Sequence, residues 1–253
     1  MSRRKTRRRS KQFPELDTTE ETQPLRTIEQ EPPNCLNFRI NHKFTPTLNQ
    51  KQFNKYAFDP ATQIIFCEGP AGTAKTYYAA YAALEMLKEG RIGDIIYVRS
   101  IVESARKAMG SLPGEVNDKF KPWMKPLLEK CDELIGTRTT NELIKQNLIR
   151  CEPVNYLRGS TFKDCAVIVD ETQNLEMSEI ITIITRIGVG CKMFFLGDSI
   201  QSDIQKNCFE RVKKNFSDQS CVDKGIQSIT FTEEDITRSE ILKFIISRIK
   251  LLK

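Results

Sequence analysis

The chain has 253 residues, 39% of them hydrophobic and 28% charged, with a formal net charge of +6. That is enough for one large domain or two small ones, with a substantial core that needs no covalent staples. No apolar run approaches the roughly 18 residues of a membrane helix, and the basic N-terminus lacks the apolar stretch of a secretory signal, so neither a membrane location nor export is expected.

The charge is unevenly placed. Residues 1–11 carry seven basic side chains and no acid, whereas residues 12–33 carry six acids against Arg26 alone. With Pro14, Pro24, Pro32 and Pro33 and few apolar residues, this composition predicts a disordered arm over 1–40, ahead of a globular domain over 41–253. The basic block suits phosphate neutralisation on nucleic acid, or a nuclear-import run in a cell with a nucleus. It equally suits a solvated tail pairing with its own acidic half.

In chain order, Leu48–Phe58 reads as a helix and Gln63–Glu68 as a short apolar strand bounded by Gly-Pro. Lys75–Glu89 places Ala79, Ala82, Ala83, Met86 and Leu87 at helical spacing and stops at Gly90. Asp94–Arg99 is a second strand. Val116 to about Leu148 has a helical pattern interrupted by Pro122, Pro126 and Gly136. A short strand is expected near Cys151–Val154, and Cys165–Asp170 is a strand ending in acids. Glu176–Ile187 gathers Ile180, Ile183, Ile184 and Ile187 on one face. Lys192–Leu196 and Gln227–Phe231 are further strands. Asp235–Leu252 closes as a helix with Leu242, Ile245, Ile246, Ile249 and Leu252 on one side. Strands alternating with helices predict an α/β fold with a mainly parallel sheet covered on both faces.

Three strand ends carry the chemistry. Gly69-Pro70-Ala71-Gly72-Thr73-Ala74-Lys75-Thr76 lies between a strand and a helix, the context that a phosphate-binding loop requires. Its backbone N–H groups and the helix N-terminus would face phosphates. Lys75 would reach the β- and γ-phosphates, and the Thr76 hydroxyl would ligate Mg²⁺. Ala74 stands where the usual pattern has its second Gly, at a cost of about 1 kcal/mol if φ is positive there. Next, Cys165–Val169 delivers Asp170 and Glu171. Asp170 would hold the Mg²⁺ shell and Glu171 would orient or deprotonate an attacking water, which points to hydrolysis rather than to a small-molecule kinase. Finally, Phe194–Leu196 leads into Gly197-Asp198-Ser199-Ile200-Gln201-Ser202-Asp203. There Gln201 could sense the γ-phosphate and Asp198 could hold Gln201 or a neighbouring loop, although an Asx-type turn would also account for Gly197-Asp198.

The eight cysteines form no C-x-x-C pair and His42 is the sole histidine, so an ordinary zinc site is not expected. Cys67, Cys165 and Cys191 lie in or beside strands, as buried small hydrophobes would in a reducing compartment. Trp123, between lysines, could stack a nucleobase, but it reads first as an anchor to the core.

Taken together, the loop around Lys75, Asp170-Glu171-Thr172-Gln173-Asn174 and Gly197–Asp203 resemble the PhoH-like family of ATPases, which is related to the first RecA-like domain of superfamily 1 helicases. Val98–Gly114, Lys121–Leu127, Tyr156–Gly159 and Thr185–Gly188 occur in the family's order, so the likeness runs from about Pro46 to about Glu240. The compact size and basic arm resemble phage-encoded members, whose place would be the host cytoplasm. The resemblance implies a RecA-like P-loop NTPase that binds ATP and Mg²⁺, with Gly69 to Tyr77 forming the nucleotide-binding stretch. It also implies Gln50 as an adenine-reading glutamine and Arg158, Arg186 and Arg238 as candidate γ-phosphate arginines, with Arg186 and Arg238 preferred. Activity would be linked to single-stranded RNA or DNA, through binding, remodelling or helicase-like work. The alternative is a nucleotide-gated nucleic-acid-binding module with little turnover. A fused PIN-type nuclease is not expected, because the tail before Phe38 is short and no acidic nuclease constellation precedes the loop. Because superfamily 1 helicases close ATP between two RecA-like domains and one is expected here, the chain is expected to form a homo-oligomeric ring, such as a hexamer, with an arginine supplied across each interface.

Overall fold

A computed structural model describes residues 36–42, 45–99, 116–154, 157, 159–198 and 208–249, with the backbone alone over 116–121. The arm over 1–35, Arg158 and the segment with Gln201 lie outside the described residues. Strands β1 (Ile64–Glu68), β2 (Asp94–Arg99), β3 (Ile149–Cys151), β4 (Cys165–Asp170), β5 (Lys192–Gly197) and β6 (Ile226–Thr230) form a six-stranded parallel sheet in the order β3-β2-β4-β5-β1-β6. This is the α/β architecture of a RecA-like P-loop domain.

Side chains alternate across each strand, and both faces are covered, so both sets are apolar. Ile65, Cys67, Ile95, Tyr97, Ala166, Ile168, Phe194 and Leu196 face one core; Ile64, Phe66, Ile96, Val98, Val167, Val169, Met193 and Phe195 face the other. The first core is roofed by α1 (Leu48–Phe58), α2 (Lys75–Lys88), α3 (Val116–Ile135) and α4 (Thr137–Lys145). In α2, Ala79, Ala80, Ala82 and Ala83 are fully buried, and their small side chains let the helix lie close on the sheet. The second core is covered by α5 (Met177–Ile184) and α6 (Cys208–Asn215). Here Phe66 stacks on Phe195 with centroids 5.1 Å apart. Leu36, Phe38 and Ile40, within the span expected as arm, pack partly buried against the first core, and Asn41 N–H donates to the Leu134 carbonyl at 2.7 Å.

Several boundaries differ from the sequence pattern. Helix α3 runs through Pro122 and Pro126 instead of breaking there. Its apolar positions Met124, Leu127, Cys131 and Leu134 keep a helical repeat and are all buried, and that burial outweighs two missing backbone donors. Gly136 does end it, with φ 82°, a conformation that favours glycine. Strand β3 falls two residues earlier than expected. Helix α6 and the short α7 (Gln219–Asp223) are not among the expected elements: α6 is only eight residues long, with Cys208, Phe209 and Val212 as its buried face, and α7 buries none. The expected helix from Asp235 begins only at Glu240, as α8 (Glu240–Ile249), and Asp235 instead ends a 3₁₀ turn (Glu233–Asp235). On α8 Ile246 is buried, but Ile245 and Ile249 are 44% and 40% exposed, so the expected inward stripe is only partly inward; Leu252 lies outside the described residues.

Among the described residues no helix is long and apolar enough to cross a membrane. The described cysteines are free and all but Cys221 are buried. Burial pushes the thiols of Cys67, Cys131 and Cys151 up to about 12, which makes them unreactive core residues.

Candidate functional site

The parallel register brings the chemistry-bearing strand ends to one edge. Glu68 lies opposite Gly197 and Thr230, and Arg99 lies opposite Asp170. Open α/β sheets bind ligands beyond this carboxyl edge. A cleft of about 510 Å³ lies there, lined by the loop after β1, by Asp170, Glu171 and Asp198, and by Arg238.

The loop is shaped by close packing. Gly69 N–H donates to the Gly197 carbonyl at 3.1 Å, and a Cβ on Gly69 would stand 2.7 Å from Phe231 Cβ, so no other residue fits without displacement. Gly72 has φ 83° and abuts Leu242 of α8. The buried Thr73 hydroxyl donates to the Pro70 carbonyl at 2.8 Å and closes the turn. Lys75 Nζ donates to the Gly69 and Pro70 carbonyls at 2.5 and 3.0 Å, which places its ammonium over the loop. The loop then enters α2, whose first backbone N–H groups have no partner within the helix and whose dipole favours an anion. Tyr77, almost fully buried, lines the cleft one turn into α2.

Ala74 has φ 65° and ψ 27°, the left-handed conformation that glycine adopts freely. Ala74→Gly is therefore expected to stabilise the protein by about 0.5–1 kcal/mol and raise its thermal midpoint by about 1–4 °C, read by calorimetry. An unchanged or lowered midpoint would mean that the lost methyl packing outweighs the relieved strain.

Asp170 and Glu171 occupy different environments despite being neighbours. Asp170 is buried; it accepts from the Thr76 hydroxyl at 3.2 Å, the Tyr97 hydroxyl at 2.8 Å and the Glu171 N–H at 3.1 Å. Burial raises its pKa above the ordinary 3.8, Glu171 adds to the rise, and the Tyr97 bond opposes it. A raised folded-state pKa means that the ionised carboxylate is disfavoured by folding, so its contribution to stability falls as pH rises from about 3.8 through the shifted value. The stability of wild type minus that of Asp170→Asn, without nucleotide, is accordingly expected to decline as pH rises above about 4; a flat difference would contradict the shift. Glu171 has φ 54°, another strained backbone at the cleft. Its carboxylate accepts from Gln173 Nε2 at 2.6 Å and lies 3.8 Å from Arg99 Nη2. The Gln173 amide oxygen in turn accepts from the Asp198 N–H at 2.9 Å, so one buried glutamine ties the end of β4 to the end of β5.

Not every residue read from sequence reaches the cleft. Gln50, expected to read adenine, does not line it. Its fully buried amide donates to the Thr73 and Asp235 carbonyls at 3.3 and 3.0 Å and accepts from Thr47 N–H and the Tyr78 hydroxyl, both at 3.0 Å. Gln50 thus braces the loop from beneath. Its partner segment is held by buried Asp235, which accepts from the Thr47 hydroxyl and, at 2.8 Å, from Asn49. Arg238 lines the cleft of its own chain and is also exposed to solvent. Arg186 stands at the opposite sheet edge, because α5 must return the chain from Asp170 to the start of β5. Its Nε is buried with no hydrogen-bond partner among the described residues. Sequence reasoning missed α3, whose Pro126, Glu129, Lys130 and Glu133 form one wall, with Lys130 and Glu133 paired at 2.6 Å. A charged helix face does not disclose what it points at. It also missed Gln173 as a brace, although its place two residues after Glu171 was a usable signal.

Residues 44–250 match the family model described as PhoH-like protein. The chain is 36% identical over 191 residues to the PhoH-like protein of Bacillus subtilis (strain 168), covering 76% of this chain and 58% of that protein. It is 31% identical over 203 residues to the PhoH-like protein of Synechocystis, covering 79% and 60%. Against Protein PhoH of Escherichia coli (strain K12) it is 28% identical over 198 residues, covering 76% and 54%. The matched region thus spans little more than half the length of these relatives.

Proposed function

The chain belongs to the PhoH-like protein family, and on that premise we propose that its nucleotide-binding loop takes ATP with Mg²⁺ and hydrolyses it, in a cycle coupled to binding or remodelling of single-stranded RNA or DNA. The observation that carries this reading is the meeting of the Thr76 hydroxyl with the Asp170 carboxylate at 3.2 Å above the loop, with Glu171 beside them. Two hard oxygen donors of this kind are what Mg²⁺ takes from a protein when phosphates and water fill its other positions. Thr76 and Asp170 would hold Mg²⁺, which would supply neutralisation of the charge that develops on the phosphates.

The chain's own residues have distinct tasks. The loop and the α2 N-terminus bind the phosphates, and Lys75 turns its ammonium from the loop carbonyls toward them. Glu171, held by Gln173, orients the attacking water and accepts its proton. Arg238 stabilises the charge on the transferred phosphoryl group from within the same cleft. Arg186, remote from its own cleft, suits a role toward a neighbouring subunit, in the homo-oligomeric ring that we propose for this chain. A binding module with little turnover is the second reading, and the left-handed Ala74 favours it, since a strained loop residue opposes the tight cradle of fast hydrolases.

The test is Mg²⁺-ATP hydrolysis with and without single-stranded RNA or DNA, with Lys75→Ala as background. Turnover above that background, raised by nucleic acid, is expected. ATP binding that Lys75→Ala abolishes, with no turnover in the wild type, would favour the second reading.

A further inference from the structure

We propose that Arg99, at the end of β2, couples the nucleotide cleft to a single-stranded phosphodiester backbone at the carboxyl edge of the sheet, by exchanging its partner Glu171 for a backbone phosphate. This rests on the reading of Glu171 and of a nucleic-acid partner given above.

The register sets Arg99 directly opposite Asp170, so its guanidinium stands beside two adjacent acids. Nη2 lies 3.8 Å from Glu171 Oε1, while Glu171 Oε2 accepts from Gln173 at 2.6 Å. The two carboxylate oxygens are thus engaged by different groups, one of them the buried amide and the other an arginine whose side chain is 32% exposed. The buried bond positions the carboxylate; the longer, partly exposed pair is the replaceable one. A partly exposed ion pair at 3.8 Å is only weakly held, so a competing anion can exchange with it. A phosphodiester offers two oxygens that match the planar fork of a guanidinium, which a single carboxylate oxygen at this distance does not. When Arg99 turns to a phosphate, Glu171 keeps its Gln173 bond and Oε1 becomes available to a water in the cleft. Conversely, a metal–triphosphate in the cleft draws on the same acids and leaves Arg99 to the strand outside. These are two views of one coupling, and linkage requires them to be equal.

The experiment measures binding rather than turnover. A fluorescent single-stranded RNA, a DNA of the same sequence and heparin are titrated onto wild type, Arg99→Ala and Arg99→Lys, with and without Mg²⁺ and a non-hydrolysable ATP analogue. In wild type the analogue is expected to tighten oligonucleotide binding by about fivefold or more. Arg99→Ala is expected to bring that ratio close to one while still binding the analogue, and Arg99→Lys to recover part of it. A merely structural role would shift the thermal midpoint and leave the ratio alone. An unchanged ratio in Arg99→Ala, a ratio of one in wild type, or the same ratio with heparin as with the oligonucleotides would overturn the proposal. Analogue binding that survives Lys75→Ala would bring down the nucleotide reading itself, and the coupling with it.

Discussion

Replacing Glu171 with glutamine is expected to lower ATP turnover by about 10²–10⁴-fold while leaving nucleotide binding intact, because it removes a general base and little else. A glutamine keeps the length of the side chain and an oxygen that can accept from Gln173 Nε2, now 2.6 Å from Glu171 Oε2. It meets the same left-handed backbone at φ 54° as the glutamate does, so no new strain enters. Only the Arg99 pair at 3.8 Å is lost, and a pair of that exposure contributes about 0.2–1 kcal/mol. The measurement is single-turnover hydrolysis beside equilibrium binding of the same nucleotide. Turnover within a few-fold of wild type would remove Glu171 from the chemistry and leave Asp170 alone at the strand end.

Arg238→Ala is expected to lower turnover by about 10³-fold or more, the effect of withdrawing an arginine from the charge on a transferring phosphoryl group. Arg238→Lys should restore little, since an ammonium does not reproduce the planar fork. The position of Arg238 in its own chain's cleft adds a sharper expectation. If the arginine acts within its subunit, every competent site needs Lys75 and Arg238 from the same chain. Mixing Arg238→Ala subunits with Lys75→Ala subunits should then regain no activity. Recovered turnover in the mixture would place the contribution across a subunit interface and return the arginine role to a neighbour. Arg186 is the internal comparison, since α5 returns the chain to the far edge of the sheet and any effect of an Arg186 variant would fall on a neighbouring subunit's site rather than on its own.

The parts of the molecule written in contiguous residues are legible in the sequence. A strand, a glycine-rich turn and a helix entrance follow one another from Ile64 to Lys88, so the phosphate loop was readable from order and residue type. The strand ending in Asp170 and Glu171 was readable because five apolar residues in succession mark a strand covered on both faces. Residue type could not supply the sign of φ at Ala74, which is positive where L-residues ordinarily avoid it. Nor could it show that Pro126, Glu129, Lys130 and Glu133 face the cleft, since the direction of a helix face is fixed only when the helix docks.

The sequence by itself therefore determined the α/β class, the edge of the sheet at which the cleft lies and the loop and strand-end residues that line it, because each is a short-range pattern with one workable geometry. The tertiary structure alone decided which polar residues line the cleft and which brace the loop from behind. Gln50 looks toward a ligand in the linear chain, yet Asp235, 185 positions away, draws its amide into the core. Arg186 and Arg238 carry the same guanidinium, yet one is taken to the opposite sheet edge and the other stands at the cleft. A side chain's role depends on what surrounds its last few atoms, and those surroundings are assembled from segments distant in sequence only once the sheet has closed.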